Sequence, residues 1–179
     1  MTPVRRALLL AGIGGAAAAA GYFANAWRIG AMGSSSASKD VAVAILGSAL
    51  QTLDGQAQTL EVWRGWVLAI NYWATWCAPC REEIPLFVSM QQEYAGKGLQ
   101  FIGIAIDQPD KVRDFAREFK INYPLLIGGL DAVELSRQAG NKAGVLPYTL
   151  LLDRSGKVAA SLVGTLTEAK IREHLVPLL

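Results

Sequence analysis

Two hydrophobic patterns alternate along most of the chain. Nearly continuous apolar runs, rich in β-branched and aromatic residues, occur at 66–73 and 99–106 and predict buried strands. The segments 78–95 and 110–120 instead mix apolar and charged residues with a helical period, which predicts helices. A strand, a helix and a second strand in this order predict a parallel pair, because the helix returns the chain to the same end of the sheet.

Turn residues mark the shorter elements. Asp54-Gly55 lies between extended segments at 49–53 and 58–60 and predicts a β-hairpin. The other predicted elements are a strand at 123–127, a helix at 131–139, a hairpin of strands 148–152 and 157–163 around Asp153-Arg154-Ser155-Gly156, and a helix from Thr167-Glu168 to about Leu175. Together they predict an α/β domain with a mixed central sheet, helices on both faces, an N-terminal hairpin and an inserted helix–strand element.

The first 40 residues differ in composition from the rest. Arg5-Arg6 precedes an uncharged stretch of 21 residues, Ala7 to Trp27, which is long enough to span a bilayer. The basic pair favours an orientation with the N-terminus in the cytoplasm and the remainder outside it. The alternative is a cleaved signal peptide, because Ala24-Asn25-Ala26 and Ala18-Ala19-Ala20 fit the small-residue cleavage pattern.

The Ser-rich segment that follows predicts a flexible linker. We therefore expect three regions: a membrane anchor or signal peptide over 1–30, a linker over 31–44 and a single folded domain over 45–179. The net charge is only +2 and the basic residues are scattered, so no nucleic-acid-binding surface is indicated.

The chemistry is concentrated in Trp76-Cys77-Ala78-Pro79-Cys80, which contains the only two cysteines of the chain. The motif lies where the first buried strand passes into a helix, and Pro79 suits the first helical turn. Unpaired N–H groups at a helix N-terminus stabilise a thiolate, lowering a cysteine pKa from about 8.5 to roughly 3.5–7.5. We expect Cys77 to attack a substrate disulfide and Cys80 to resolve the mixed disulfide.

The sequence disfavours three other uses of the two cysteines. A structural disulfide over so short a loop would constrain the unfolded chain little. A structural zinc site usually needs four ligands, and only the distant His174 accompanies the cysteines. Haem attachment needs His after the second cysteine, where this chain has Arg81. No metal or cofactor is therefore expected. Outside the cytoplasm, a dithiol must either be kept reduced by a donor or serve as an oxidant.

Four segments are characteristic in this order: Leu53-Asp54-Gly55, NYWATWCAPCREEIPLF (71–87), Val145-Leu146-Pro147-Tyr148-Thr149 and LLDRSGKV (151–158). Through them, from about residue 45 onward, the chain resembles the thioredoxin superfamily, specifically the membrane-anchored bacterial thiol–disulfide oxidoreductases of the TlpA/ResA/CcmG type.

This resemblance implies roles for particular residues. Leu146-Pro147 would form a cis peptide bond facing the cysteines. Glu83 would be partly buried, with a raised pKa, and would exchange a proton with Cys80, whereas Glu82 would be a surface carboxylate. The chain departs from thioredoxin at Asn71, where thioredoxin has a buried, titratable Asp. The implied substrate-binding residues are Trp76, Ala78, Pro79, Leu146 and Pro147.

The expected function is reduction of disulfides in periplasmic proteins by an inner-membrane-anchored or soluble periplasmic domain. The resemblance implies a membrane thiol electron donor of the DsbD/CcdA type, with cytochrome c maturation as one candidate process. A peroxiredoxin-like peroxide reductase is one alternative, although no proline occurs in the octet before Cys77. A non-catalytic binding module with an inert disulfide is the other.

Overall fold

The computed structural model describes residues 40–179, together with the single position Gly21. Within 40–179, seven strands and five helices follow in chain order, besides short 3₁₀ turns. The strands are β1 (Leu50–Thr52), β2 (Ala57–Gln58), β3 (Val67–Trp73), β4 (Leu99–Ala105), β5 (Leu125–Ile127), β6 (Tyr148–Leu152) and β7 (Val158–Val163). The helices are α1 (40–47), α2 (Ala78–Tyr94), α3 (Pro109–Glu118), α4 (Leu130–Gln138) and α5 (Glu168–Leu175).

One mixed sheet organises these elements, with the strand order β2-β1-β5-β4-β3-β6-β7. The central strand β3 is parallel to β4 and antiparallel to β6, and all seven of its residues are buried. The predicted parallel pair and both predicted hairpins, β1–β2 and β6–β7, are therefore confirmed. Because β3 lies between β4 and β6 and is fully buried, its carboxyl end fixes the position of the segment that follows it, residues 74–77.

Hydrophobic residues cover both faces of the sheet. On one face, β3 and β4 pack against α2, α3 and α5 through residues such as Phe87, Phe115 and Ile171. On the other face, the sheet contacts α1 and α4 through Ile45 and Ala132. The predicted α/β class with helices on both faces is confirmed.

The structure differs from the predicted domain boundary near the beginning of the domain. Residues 40–44, which the sequence pattern assigned to the linker, lie in α1. Ala42, Ile45 and Leu46 are buried there, and their i, i+3, i+4 spacing places them on one helical face. The short helix packs on the sheet, so the ordered domain begins earlier than residue 45. Apart from Gly21, the predicted membrane anchor or signal peptide over 1–30 lies outside the described residues.

In the described part of the chain, no helix is both long enough and apolar enough to cross a membrane.

Gly103, in the centre of β4, lies in tightly packed surroundings. A Cβ atom at Gly103 would lie 2.5 Å from Leu125 Cδ2 and 2.9 Å from Trp73 Nε1. Both neighbours belong to the packed core, so Gly103→Ala should lower the free energy of unfolding by about 1–3 kcal/mol. Urea unfolding checks this result.

Gly96→Ala is the matched control, because nothing lies within 4 Å of a Cβ at that position. Its effect should stay within about 0.5 kcal/mol of wild type. If both substitutions change the free energy of unfolding equally, the core around Gly103 rearranges to accommodate the added methyl group.

Candidate active site

Cys77 and Cys80 form a disulfide at the beginning of α2, with an S–S distance of 2.05 Å and a Cα–Cα distance of 5.3 Å. Cys77 is the N-cap residue of the helix, and its backbone N–H donates to the Ala74 carbonyl at 3.2 Å. The backbone N–H of Cys80 donates to Cys77 Sγ at 3.3 Å. The sulfur of Cys77 therefore already occupies the N-cap position, where a helix stabilises negative charge.

The two sulfurs differ in access. Cys77 is 6% exposed, whereas Cys80 is completely buried. Of the two cysteines, only Cys77 has any exposed surface. The assignment of Cys77 as the attacking cysteine and Cys80 as the resolving cysteine stays a prediction.

The Leu146–Pro147 peptide bond is cis, as predicted. The Pro147 carbonyl accepts a hydrogen bond from the Gly164 N–H at 2.9 Å, which ties this loop to the segment after β7. Pro147 itself is buried, while Leu146 is half-buried. The loop is thereby held immediately before β6, the strand next to β3.

An apolar cavity of about 380 Å³ lies beside Cys77. It brings together two predicted substrate-binding residues, Trp76 and Leu146, and four further wall residues that were not predicted to bind substrate. Those additional residues are Ile106, Val133, Gly144 and Val145. Trp76 is 68% exposed. Ala78 and Pro79 form the exposed first turn of α2 and do not line the cavity.

Glu83 is buried on the core side of α2 and is only 2% exposed. Its Oε1 accepts a hydrogen bond from Asn71 Nδ2 at 3.0 Å, and its Oε2 accepts one from the Leu166 N–H at 2.9 Å. Burial raises the pKa of Glu83 to about 7, and the two hydrogen bonds work in the opposite direction. Glu82 is exposed, as expected. The structure thus places a buried carboxyl with a raised pKa one helical turn from Cys80.

The loop between β3 and Cys77 is fixed by a residue that sequence reasoning missed. Asp107 Oδ2 accepts hydrogen bonds from the Thr75 N–H at 3.0 Å and from Thr75 Oγ1 at 2.5 Å. Although burial acts in the opposite direction, hydrogen bonds from Thr75 and Gln108 lower the pKa of Asp107. The signal in the sequence is that Thr75 and Asp107 are each the second residue after one of two adjacent parallel strands, whose carboxyl ends meet at one edge of the sheet.

Arg81 follows the motif, but its guanidinium lies over the rings of Phe115 and Phe119, at 5.6 and 5.7 Å from their centroids. It contributes to packing of α2 against α3. Within the described residues, no group of three or more His, Cys, Asp or Glu side chains is arranged to hold a metal ion.

A mixed sheet of this order, a disulfide at the N-terminus of α2 and a cis-proline loop before β6 define a thioredoxin-like thiol–disulfide oxidoreductase. The model of the AhpC/TSA family matches residues 42–163, and the chain belongs to that family.

Known proteins agree with this class. Thiol-disulfide oxidoreductase ResA of Geobacillus thermodenitrificans is 33% identical over 129 residues, covering 70% of this chain and 71% of its own. The crystal structure of a thiol:disulfide interchange protein of the thioredoxin family from Chlorobium tepidum is 27% identical, with a TM-score of 0.65, covering 73% of this chain and 94% of its own. A secreted thiol-disulfide isomerase from Corynebacterium glutamicum is 26% identical, with a TM-score of 0.64 over 72% of this chain and 80% of its own.

Proposed function

We propose that this protein reduces disulfides in other proteins outside the bacterial cytoplasm. The observation that carries the proposal is the disulfide between Cys77, which is accessible at the helix N-cap, and Cys80, which is completely buried. Only the reduced dithiol form of the protein can donate electrons to a substrate disulfide.

The reaction is a pair of exchanges. The Cys77 thiolate attacks one sulfur of the substrate disulfide; that disulfide breaks, and one substrate thiolate leaves while a mixed disulfide forms. The Cys80 thiolate then attacks Cys77 Sγ, the mixed disulfide breaks, and the second substrate thiolate leaves. Two electrons pass to the substrate, and the Cys77–Cys80 disulfide remains.

The second exchange needs Cys80 to lose its proton in a buried position. Glu83 is the carboxyl placed to accept it, because it lies one turn further along α2 and has a pKa of about 7. The apolar cavity beside Cys77 and the cis-proline loop would hold the substrate segment. Trp76, Leu146 and Pro147 are the residues proposed to contact it, with Ala78 and Pro79 at the first turn.

The proposed location is the outer face of the bacterial inner membrane, or the periplasm if the N-terminal segment is cleaved. Its support is the basic pair followed by an uncharged stretch at 7–27, together with the similarity to a secreted isomerase. Since each turnover consumes the dithiol, a membrane thiol donor of the DsbD/CcdA type would regenerate it. Cytochrome c maturation is a candidate process that rests on the resemblance to oxidoreductases of the TlpA/ResA/CcmG type.

Substrate trapping tests this proposal. In the full chain, Cys80→Ala should leave Cys77 joined to its substrates as mixed disulfides, because the resolving attack is missing. Non-reducing gels and mass spectrometry of cells that express the variant should show adducts that disappear with a reductant.

Cys77→Ala is the control and should form no adducts. If Cys77→Ala traps proteins and Cys80→Ala does not, the assigned roles are reversed. Peroxide consumption by the reduced protein, measured in parallel, should remain at the uncatalysed rate; rapid consumption would favour a peroxide reductase instead.

A further inference from the structure

Glu83 has an unusual partner on β3. Asn71 is 1% exposed, and its side chain lies on the sheet face that α2 covers. Its Nδ2 donates one hydrogen bond to Glu83 Oε1 at 3.0 Å and another to Thr149 Oγ1 at 3.1 Å. Both hydrogens of the amide are therefore used, one on the carboxylate and one on the neighbouring strand β6.

The other end of the Asn71 amide is left without a protein partner. Oδ1 is buried and accepts no hydrogen bond from the described residues. A buried acceptor without a partner is unfavourable. A 180° flip of the side-chain amide would exchange Nδ2 and Oδ1. Two acceptors, Asn71 Oδ1 and the Glu83 carboxylate, would then face each other. The observed orientation is thus the one that an ionised Glu83 requires.

The surroundings of Glu83 leave few other groups that could control it. Within the described residues, its carboxylate accepts hydrogen bonds only from Asn71 and from the Leu166 N–H. Tyr123, which precedes β5, is a titratable side chain that the charge of Glu83 affects. Burial, and then the charge of Glu83, raises the pKa of Tyr123, so this phenol stays neutral while Glu83 titrates. Cys80 lies one turn before it on α2.

We propose that Asn71 is a positioning residue for Glu83: its amide fixes the orientation of the carboxylate one turn from Cys80 and favours the ionised form. A hydrogen bond donated to a carboxylate stabilises the charged state. Burial acts against ionisation and Asn71 acts for it. The balance lets the carboxyl accept a proton from Cys80 near neutral pH. This inference rests on the proposed role of Glu83 in disulfide reduction.

The direct test measures the titration of Glu83 in the oxidised protein, where neither cysteine titrates. The carboxyl carbon of Glu83, followed by carbon-13 NMR, should titrate with a midpoint near 7 in the wild type. In Asn71→Leu, which removes the donor and keeps a similar volume, the proton affinity of Glu83 should rise about tenfold. An unchanged midpoint would overturn the proposal.

Thr149→Val is the matched control. It removes the second partner of the Asn71 amide and leaves the hydrogen bond to Glu83 in place. Its midpoint should stay close to that of the wild type. A shift as large as that of Asn71→Leu would show that Asn71 acts through general packing of the site and would contradict a positioning role.

Two further measurements apply if Asn71→Leu does not fold. In Asn71→Asp, two carboxyls would face each other, and Glu83 should titrate in two coupled steps; a single step near pH 7 would contradict the proposal. In the wild type itself, the side-chain amide protons of Asn71 should shift with the Glu83 midpoint. Amide signals that do not change between pH 5 and 9 would overturn it.

Exchange kinetics separate this inference from the proposed function. Asn71→Leu should move the pH profile of disulfide reduction, but should have no further effect on that profile in a Glu83→Gln background. Additive effects would mean that Asn71 acts independently of Glu83. If the wild type reduces no disulfide, the proposed function fails, whereas the NMR titration still decides the role of Asn71.

Discussion

Replacing Cys77 by Ser should reduce thiol–disulfide exchange to the rate without protein, whereas Cys80→Ala should keep the first half of the reaction. The reason is the difference in access: Cys77 is the sulfur that an incoming disulfide can reach, and Cys80 is completely buried. A serine hydroxyl at the N-cap can still cap α2, but it cannot attack a disulfide. Release of substrate thiols from a model disulfide, monitored by absorbance, checks both variants.

The shape of the progress curve distinguishes the two cysteines. With the wild-type dithiol, each protein molecule should release both substrate thiols. Cys80→Ala should release a single thiol per molecule and then stop, because no second sulfur can attack the mixed disulfide. Full release by Cys80→Ala, in the absence of added thiols, would show that Cys80 is dispensable. Residual exchange by Cys77→Ser at the wild-type rate would show that Cys80 is reachable after all.

The chemistry of this site could be predicted from the sequence because its parts are local. The strand, the N-cap cysteine, the proline in the first turn and the second cysteine all lie within 67–80. An apolar run followed by a helix start is sufficient to place Cys77 at the positive end of α2. The cis peptide before Pro147 came from the resemblance and not from the physics of the residues, since most X–Pro bonds are trans.

The parts that escaped prediction depend on contacts between distant segments. The position of β5 between β1 and β4 is fixed by pairing across the sheet and has no local signal. The burial of Glu83 was implied by the resemblance, but the groups that contact its carboxylate were not predicted. The hydrogen bond to Glu83 from Leu166 joins residues 83 apart in the chain. Only the folded sheet brings these groups together.

Burial of Glu83 should make the stability of the oxidised protein depend on pH, and Glu83→Gln should remove that dependence. The pKa of about 7 in the folded state exceeds the ordinary value of 4.5, because burial disfavours the charged form. The folded protein therefore binds more protons than the unfolded chain between these pH values. Its free energy of unfolding should be highest below about pH 4.5 and should fall by roughly 3 kcal/mol as the pH rises through 7.

Urea unfolding of the oxidised protein from pH 4 to pH 8 measures this contribution, because the difference between two variants cancels the other titrating groups. The Glu83→Gln curve should approach and then exceed the wild-type curve as the pH rises, since an amide carries no charge to bury. Glu82→Gln alters an exposed carboxyl on the same helix, so its curve should run parallel to that of the wild type. If the Glu83→Gln curve also runs parallel throughout, Glu83 does not titrate near neutral pH, and the Cys80 proton must leave by another route.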